Sequence, residues 1–212
     1  MNSKKAETAE YRGCENLVYA LVTKDDSEGY TTGEVKELAS LAEVGVTTEQ
    51  ASETKYYDNN PAIVLKGLGA ETRTFTIDHL PNARLAELTG QKVDANTGAI
   101  IGGGDGVTNP YFAVGYVSEI TNGIKTYKWA LKGTFQIPDE TNTTKNAGTD
   151  SNNLSLVYTG IATTHAFENQ GKAVYVALED TKDDGTKLDM STWFDSVQTP
   201  DTLSTFKPTA GA

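Results

Sequence analysis

The chain has few of the side chains on which most enzymes rely. Its 212 residues include one cysteine, Cys14, and two histidines, His79 and His165. A single cysteine excludes an intramolecular disulfide framework and a zinc site built from paired thiolates. Neither histidine stands in a recognised spacing with a nucleophile, and there is no Gly-x-Ser-x-Gly elbow. We therefore expect no catalytic residues and no enzymatic activity.

Long apolar runs are also missing. The first apolar run, residues 17–22, has six residues, whereas a helix that crosses a bilayer needs about 20. The N-terminal residues are charged and lack the apolar stretch of a signal peptide. We expect a protein that is made in the cytoplasm and does not associate with a membrane.

Positively charged residues are fewer than negatively charged ones. The chain has 18 Lys and Arg against 29 Asp and Glu, which gives a net charge of −11 and a pI near 4.6. A surface of that sign repels phosphate groups. We therefore expect neither tight binding to nucleic acid nor adhesion to an anionic membrane.

Two segments have the composition of ligand sites but not their spacing. The glycine-rich segment 102–106 is not followed by a helix or by Gly-Lys-Ser/Thr, so it is interpreted as a loop rather than a phosphate cradle. The acidic segment that begins at Asp180 places Lys182 and Ser191 where a calcium loop needs oxygen ligands at positions 3 and 12. We expect no cofactor and no bound metal.

The residues that are abundant favour strands. Thirty threonines and ten tyrosines fit a pleated, half-buried surface. Residues 125–137 alternate between an apolar and a polar face, and Thr121-Asn122-Gly123 joins them to 111–120 as a hairpin. Asp183-Asp184-Gly185 predicts a second turn. Further strands are predicted at 16–23, 52–57, 71–79, 154–162 and 173–179.

One helix is predicted at about residues 81–89. Pro81 suits the first helical position, Gly90 suits the C-terminal cap, and Pro81, Leu85 and Leu88 share one face. A helical turn capped by Ser191 is predicted over 190–194. The predicted fold is mainly β, an antiparallel β-sandwich or barrel with one flanking α-helix and long loops.

The sequence predicts one folded domain over residues 1–198. Residues 1–12 are interpreted as an N-terminal arm and 199–212 as a C-terminal tail that no core needs. Segments 91–109 and 139–153 are rich in Gly, Asn, Asp and Thr and are interpreted as loops. Because segments 139–153 and 199–212 can bury little apolar surface, we expect them to be mobile in the free subunit.

Five segments, in this order along the chain, resemble the major tail proteins, which form the tail tube of long, non-contractile bacteriophage tails. They cover much of residues 11–198, and the glycine-rich segment 102–106 departs from the family pattern. The segments are 13–20 (Gly-Cys-Glu-Asn-Leu-Val-Tyr-Ala), 53–60 (Glu-Thr-Lys-Tyr-Tyr-Asp-Asn-Asn), 80–90 (from Leu-Pro to Leu-Thr-Gly), 110–116 (Pro-Tyr-Phe-Ala-Val-Gly-Tyr) and 191–197 (Ser-Thr-Trp-Phe-Asp-Ser-Val).

The resemblance implies a virion structural protein. Six copies would form each ring, and stacked rings would form a hollow tube that conducts phage DNA without binding it specifically. Inner sheets of neighbouring subunits would join around the lumen, while long loops and both termini would link the rings. The implied partners are further copies of this chain, a tape measure protein, a tail terminator and a distal tail protein, after assembly in the host cytoplasm.

Large side chains beside turn-like segments are the candidates for contacts between subunits, since aromatic residues concentrate at interfaces; core burial is their alternative role. These candidates are Tyr56, Tyr57, Asn59, Trp193 and Phe194. Two other functions remain open at this point. One is the tube of a contractile tail, tailocin or secretion system, and the other is a carbohydrate-binding or adhesion β-sandwich.

Overall fold

The computed structural model describes residues 9–103, 108–139 and 153–209, and this part of the chain is mainly β. It has one α-helix, α1 (Asn82–Thr89), and a 3₁₀ turn at Leu203–Thr205. The strands are β1 (Tyr11–Asp25), β2 (Tyr30–Thr32), β3 (Lys36–Ala39), β4 (Leu41–Tyr57), β5 (Asn60–Ile77), β6 (Lys92–Val93), β7 (Ile100–Ile101), β8 (Phe112–Ile120), β9 (Lys125–Phe135), β10 (Leu154–Gly160) and β11 (Tyr175–Glu179).

Nine of these strands form one antiparallel sheet. Its order is β2-β1-β8-β9-β10-β5-β4, with β3 also pairing with β1 and β11 with β9, while β6 and β7 pair separately. The sheet curls so that β4 comes near β1, yet no backbone pairing joins these two strands in the described ranges. The predicted mainly β, antiparallel fold is confirmed, and it is sandwich-like rather than a closed barrel.

The first core fills the inside of the curled sheet. Alternate residues of β1, β5, β8 and β10 point there, and α1 covers one end through Leu88. Tyr158 is fully buried, and its hydroxyl donates a hydrogen bond of 2.8 Å to the carbonyl of Phe112. The largest side chains of this core are Tyr19, Phe75, Phe112, Tyr116, Phe135 and Tyr158.

Helix α1 confirms the predicted end at Gly90 and the inward positions of Leu85 and Leu88, but not the inward position of Pro81. Pro81 is the N-cap, and Gly90 ends the helix in the left-handed region at φ 68°. A Cβ at Gly90 would lie 2.0 Å from the carbonyl oxygen of Thr108, so glycine is required. Ala86 and Leu88 are buried whereas Pro81 is exposed, because Pro81 precedes the first helical turn rather than belonging to it.

The second core lies on the outer face of the same sheet. Trp129 and Leu131 of β9 are fully buried there, under the segment 161–209 that follows β10. The sequence predicted that the polar face of β9 is exposed to solvent. Instead, Lys128 and Ala130 on that face point towards the inside of the curled sheet. Both faces of β9 are therefore covered, whereas the alternation of apolar and polar residues predicted that only one face is.

The predicted C-terminal tail is part of the fold as far as residue 209, and the prediction of a dispensable tail is wrong there. The Phe206 ring lies 5.1 Å from the Trp193 ring, and Leu203 packs on the same core. The backbone at 187–189 also pairs with that at 207–209 through N–H···O bonds of 3.0 Å. Two apolar side chains, Leu203 and Phe206, thus anchor a C-terminal segment that is otherwise polar.

The predicted boundaries hold well for four strands and poorly for three others. Strands β8, β9, β10 and β11 begin and end within two residues of the prediction. Strand β1 begins five residues before the predicted 16–23. Strands β4 and β5 have 17 and 18 residues, far more than the predicted 52–57 and 71–79. Segment 91–109 includes the short β6–β7 pair. The predicted loop 139–153 falls almost entirely outside the described residues, as do 1–8 of the N-terminal arm, whose residues 11 and 12 belong to β1.

The structure contains the turns that the sequence predicts at 121–123, 183–185 and 190–194. Gly123 and Gly185 take φ values of 83° and 85°, which confirms the two predicted turns. The turn at 191–196 forms as expected, but its first backbone N–H, at Ser191, is capped by the carboxylate of Asp189 at 3.0 Å rather than by the serine side chain.

Replacing Phe206 with alanine tests the role of the C-terminal segment. Because the ring packs against Trp193, Phe206→Ala is expected to lower the free energy of unfolding by about 1–3 kcal/mol. Denaturant unfolding measures this loss, and Ser204→Ala, at an exposed position of the same 3₁₀ turn, is the matched control. Equal stability of the two variants would mean that residues 199–209 contribute nothing to the core.

Candidate functional site

A two-stranded arm extends from the sheet. Strand β10 pairs with β5 only from Glu71 to Ile77, so that residues 60–70 of β5 pair with β4 alone. Within residues 49–64 every side chain except Lys55 is exposed. We call residues 49–70 the arm. Both faces of its residues 49–64, and both of its backbone edges, lack a covering element among the described residues.

The arm ends in a tight turn with left-handed backbone. Asp58 and Asn59 have φ values of 50° and 63°, and they join residues 57 and 60 as a two-residue hairpin. Asp and Asn tolerate this conformation better than other non-glycine residues, and its twist matches that of paired strands. The Asn60 side chain donates a hydrogen bond of 3.2 Å to the carbonyl of Asp58. The turn therefore has a defined geometry at the tip.

The tip carries two of the most exposed aromatic side chains of the described residues. Tyr56 and Tyr57 are 66 % and 60 % exposed, and Ile63 and Val64 on β5 are about half exposed. An isolated two-stranded ribbon is marginal in water, and open strand edges invite pairing with another chain. The arm is thus a surface suited to contact with a second molecule.

A pocket lies at the base of the arm, between β1 and β4. Its volume is about 420 Å³. Glu43 and Val44 line one side, and β1, β8 and β9 supply the other. The lining residues are Tyr11, Gly13, Cys14, Ala42, Glu43, Val44, Val46, Tyr116, Ser118 and Lys128. Most of these side chains are apolar or aromatic.

Lys128 is the cation of this pocket, whose lining also includes the carboxylate of Glu43. Its ammonium lies 5.4 Å from the Tyr11 ring centroid and 5.5 Å from that of Tyr116. The nearest polar side-chain partner is the hydroxyl of Ser118, at 3.5 Å, and no carboxylate of the described residues lies within salt-bridge distance. Burial, with a further contribution from the charge of Arg73, lowers the pKa of Lys128 below its ordinary value.

Behind the pocket wall lies a buried ion pair. The Arg73 Nε donates a hydrogen bond of 2.6 Å to the carboxylate of Glu71, and both side chains are almost fully buried. The Arg73 guanidinium lies 5.5 Å from the Tyr116 ring and 5.7 Å from that of Tyr175. Glu71 balances the charge of Arg73 and also favours the charged form of Lys128 at longer range, but it forms no salt bridge with Lys128.

The structure separates the five contact candidates into two groups. Tyr56, Tyr57 and Asn59 lie together at the exposed tip of the arm. Trp193 is fully buried, and Phe194 is half-buried against the rings of Tyr127 and Trp129. A contact role for Trp193 is therefore wrong, because its ring fills the second core, and the packing of Phe194 likewise belongs to that core.

Sequence reasoning missed both the extent of the arm and the pocket residue Lys128. A signal for Lys128 existed, because it alternates with Trp129 on a strand whose neighbouring strands are apolar on both faces. A lysine at an inward position of such a strand departs from the expected pattern. Residues 42–53 gave no comparable signal, since a strand exposed on both faces shows no alternation of polarity.

The remaining reactive side chains form no catalytic arrangement within the described ranges. His79 is exposed, and Cys14 lines the pocket, where burial and the nearby Glu43 raise the pKa of its thiol. No group of three or more His, Cys, Asp or Glu side chains is placed to hold a metal ion in this part of the chain. None of the helices described here is long and apolar enough to span a bilayer.

His165 adjoins a polar cluster that fastens the outer segment to the sheet. Asp25 accepts hydrogen bonds from the backbone N–H groups of His165 and Thr164, at 2.8 Å each, and its carboxylate lies 2.5 Å from the ammonium of Lys132. Burial alone raises the pKa of Asp25, but the hydrogen bonds from Lys132 and the two N–H groups outweigh it, and the pKa lies below its ordinary value.

No protein-family model matches the sequence, and no curated protein matches it.

The Asp25 cluster predicts a specific dependence of stability on pH. A carboxyl with a lowered pKa in the folded state contributes stability that is complete above the unfolded value, about 4, and is lost as pH falls through the folded value. Asp25→Asn is expected to lower the free energy of unfolding near pH 7 by about 3 kcal/mol.

Denaturant unfolding between pH 7 and acid measures this effect. The difference between wild type and Asp25→Asn should shrink as pH falls below about 4. Asp183→Asn, at an exposed turn, is the control and should leave the stability near its wild-type value. A constant difference across the whole pH range would exclude the ionised carboxylate as the source.

Proposed function

We propose that this chain is a virion structural protein, the tail tube subunit of a long-tailed bacteriophage, which assembles as stacked six-membered rings into a hollow tube that conducts DNA. The observation that carries the proposal is the arm, whose two faces and two edges are left uncovered by the part of the chain that the structure describes. The proposed function involves no enzymatic chemistry.

The arm has the properties that a polymerising subunit needs. Closed rings of identical subunits use heterologous contacts, and stacking of rings uses a second pair of surfaces. An exposed, two-faced hairpin with aromatic side chains at its tip suits such a contact, because buried aromatic anchors supply much of the binding free energy at interfaces. The resemblance to tail tube proteins includes the segment 53–60, which forms this tip.

The net charge of −11 supports passive conduction of DNA. Acidic side chains that face a lumen repel DNA over a Debye length of about 8 Å at physiological salt, so that the duplex moves without sticking. The partners in this proposal are further copies of the chain, a tape measure protein, a tail terminator and a distal tail protein, and the location is the virion after assembly in the host cytoplasm.

The alternatives gain less support. A carbohydrate-binding sandwich would present tryptophan or tyrosine in a cleft, yet both tryptophans are fully buried and the two tip tyrosines stand on a projecting ribbon. The tube of a contractile tail or secretion system would use the same surfaces, and a sheath-protein gene beside this one would distinguish it.

Electron microscopy of the purified protein tests the proposal. A tail tube subunit is expected to give rings or hollow filaments with a central channel at high protein concentration. A preparation that stays monomeric at every concentration and salt tested, while its melting curve shows a folded protein, would overturn the proposal.

The tip tyrosines are expected to be needed for assembly but not for folding. The double variant Tyr56→Ala, Tyr57→Ala should retain the wild-type melting temperature, because both side chains are exposed, and should form no filaments, since loss of a buried anchor typically costs about 2 kcal/mol or more at each contact.

Thermal melting and filament imaging are measured together on this variant. Ile101→Ala, an exposed apolar position outside the arm, is the control and should assemble normally. Normal filaments from the double variant would place the tyrosines outside the interface, and a collapsed melting temperature would contradict their exposure.

A further inference from the structure

We propose that the pocket at the base of the arm receives the arm tip of a second copy of this chain. The inference deepens the proposed function and rests on it, since it names the two surfaces that meet when one subunit follows the next. The occupant is the turn of residues 56–59, and the receiving site is the cavity between β1 and β4 around Lys128.

Charge complementarity is the first argument. Lys128 lies half-buried over two aromatic rings, with no carboxylate of the described residues within salt-bridge distance. Asp58 at the tip is exposed and likewise forms no salt bridge with any described residue. A buried ammonium is stabilised when a carboxylate reaches it. Asp58 of one copy supplies that group to Lys128 of the next.

Shape and apolar chemistry are the second argument. The cavity of about 420 Å³ lies within the range of small-ligand sites, about 300–1,000 Å³, and so holds a tyrosine ring and the adjoining turn. Its walls include Val44, Val46 and the ring of Tyr116. Docking Tyr56 or Tyr57 against them removes exposed aromatic surface from water, at about 25 cal/mol per Å².

The contact must join different copies. The tip and the pocket lie on one strand, with Val46 at the pocket and Asp58 directly after the last residue of β4. At about 3.3 Å per residue they are about 40 Å apart, and a paired hairpin does not fold back over that distance. A tip that enters the base pocket of a copy in the next ring is a head-to-tail contact, and repeating it from ring to ring extends the tube. Each step along the assembly then advances at most about 40 Å.

A disulfide provides the test, because Cys14 lines the pocket and is the only cysteine. In Tyr57→Cys the introduced thiol meets Cys14 of the next copy, and a disulfide forms only if the two Cα atoms come within about 7 Å. Assembled filaments are oxidised with copper phenanthroline at about pH 9, since the pKa of the Cys14 thiol is raised. We expect a ladder of covalent multimers on a non-reducing gel.

Matched variants separate this result from chance pairing. The same substitution in a Cys14→Ser background has one thiol per chain and is expected to give dimers at most. Asn60→Cys, which keeps both tyrosines, repeats the test if Tyr57→Cys assembles poorly. Mass spectrometry of the ladder should identify the peptide containing residue 14 joined to the peptide containing residue 57 or 60.

The charge pair is tested by a double-mutant cycle on the critical concentration for filament formation. Asp58→Asn keeps a residue that tolerates positive φ, and Lys128→Met keeps the length of the side chain. Each is expected to raise the critical concentration about tenfold, and the double variant is expected to be no worse than either single variant, because both remove the same contact. Multiplied effects would overturn the pairing.

The outcomes distinguish this proposal from the proposed function. Filaments whose introduced thiol stays free, or pairs only with its own equivalent, overturn docking in the pocket and leave the tube function standing. The absence of filaments and of covalent multimers from wild type and variants alike overturns both. An axial repeat well above about 40 Å in imaged filaments also contradicts the contact.

Discussion

The register between β4 and β5 is the constraint on which the rest of the structure depends. From Leu41↔Ile77 to Tyr57↔Asn60 it fixes which residues of β5 face inwards. Phe75 and Ile77 then fill the first core, while Glu71 stands at the last position that β10 still pairs. A slip of one residue would turn Phe75 outwards and move the tip turn. One pairing therefore sets the core and the projecting arm together.

Charged side chains lie inside the curled sheet near the place where β10 stops pairing with β5. Where β10 stops pairing with β5, the interior is no longer sealed by apolar side chains, and Glu71, Arg73 and Lys128 take their place. The buried pair of Glu71 and Arg73 satisfies itself and is held between the rings of Tyr116 and Tyr175. Lys128 lacks such a partner, and burial disfavours its charged form. The single chain thus keeps an electrostatic cost that a carboxylate from outside would relieve.

The sequence predicted the parts of the fold in which local chemistry and burial agree. Strands β8 and β9 were found because an Asn-Gly turn joins two apolar runs, and α1 because Pro81 and Gly90 mark its ends. The arm was predicted only in part, since a ribbon exposed on both faces carries no periodic signal. The sequence left the role of Trp193 open, because a large aromatic beside polar residues is compatible with a core or an interface, and the packing of segment 161–209 decides for the core.

The arm also carries features that restrain unwanted association. Pro61 follows the turn and removes one backbone donor from the edge of β5, and Glu53 and Lys55 form a salt bridge on β4. Proline and charged residues on an edge strand oppose indiscriminate pairing. The net charge of −11 adds repulsion between copies at a distance. In the proposed assembly, contact through the arm is then favourable only where a specific counter-charge and an apolar pocket offset that repulsion. A polymerising subunit needs this balance, because its copies must stay separate until the correct surfaces meet.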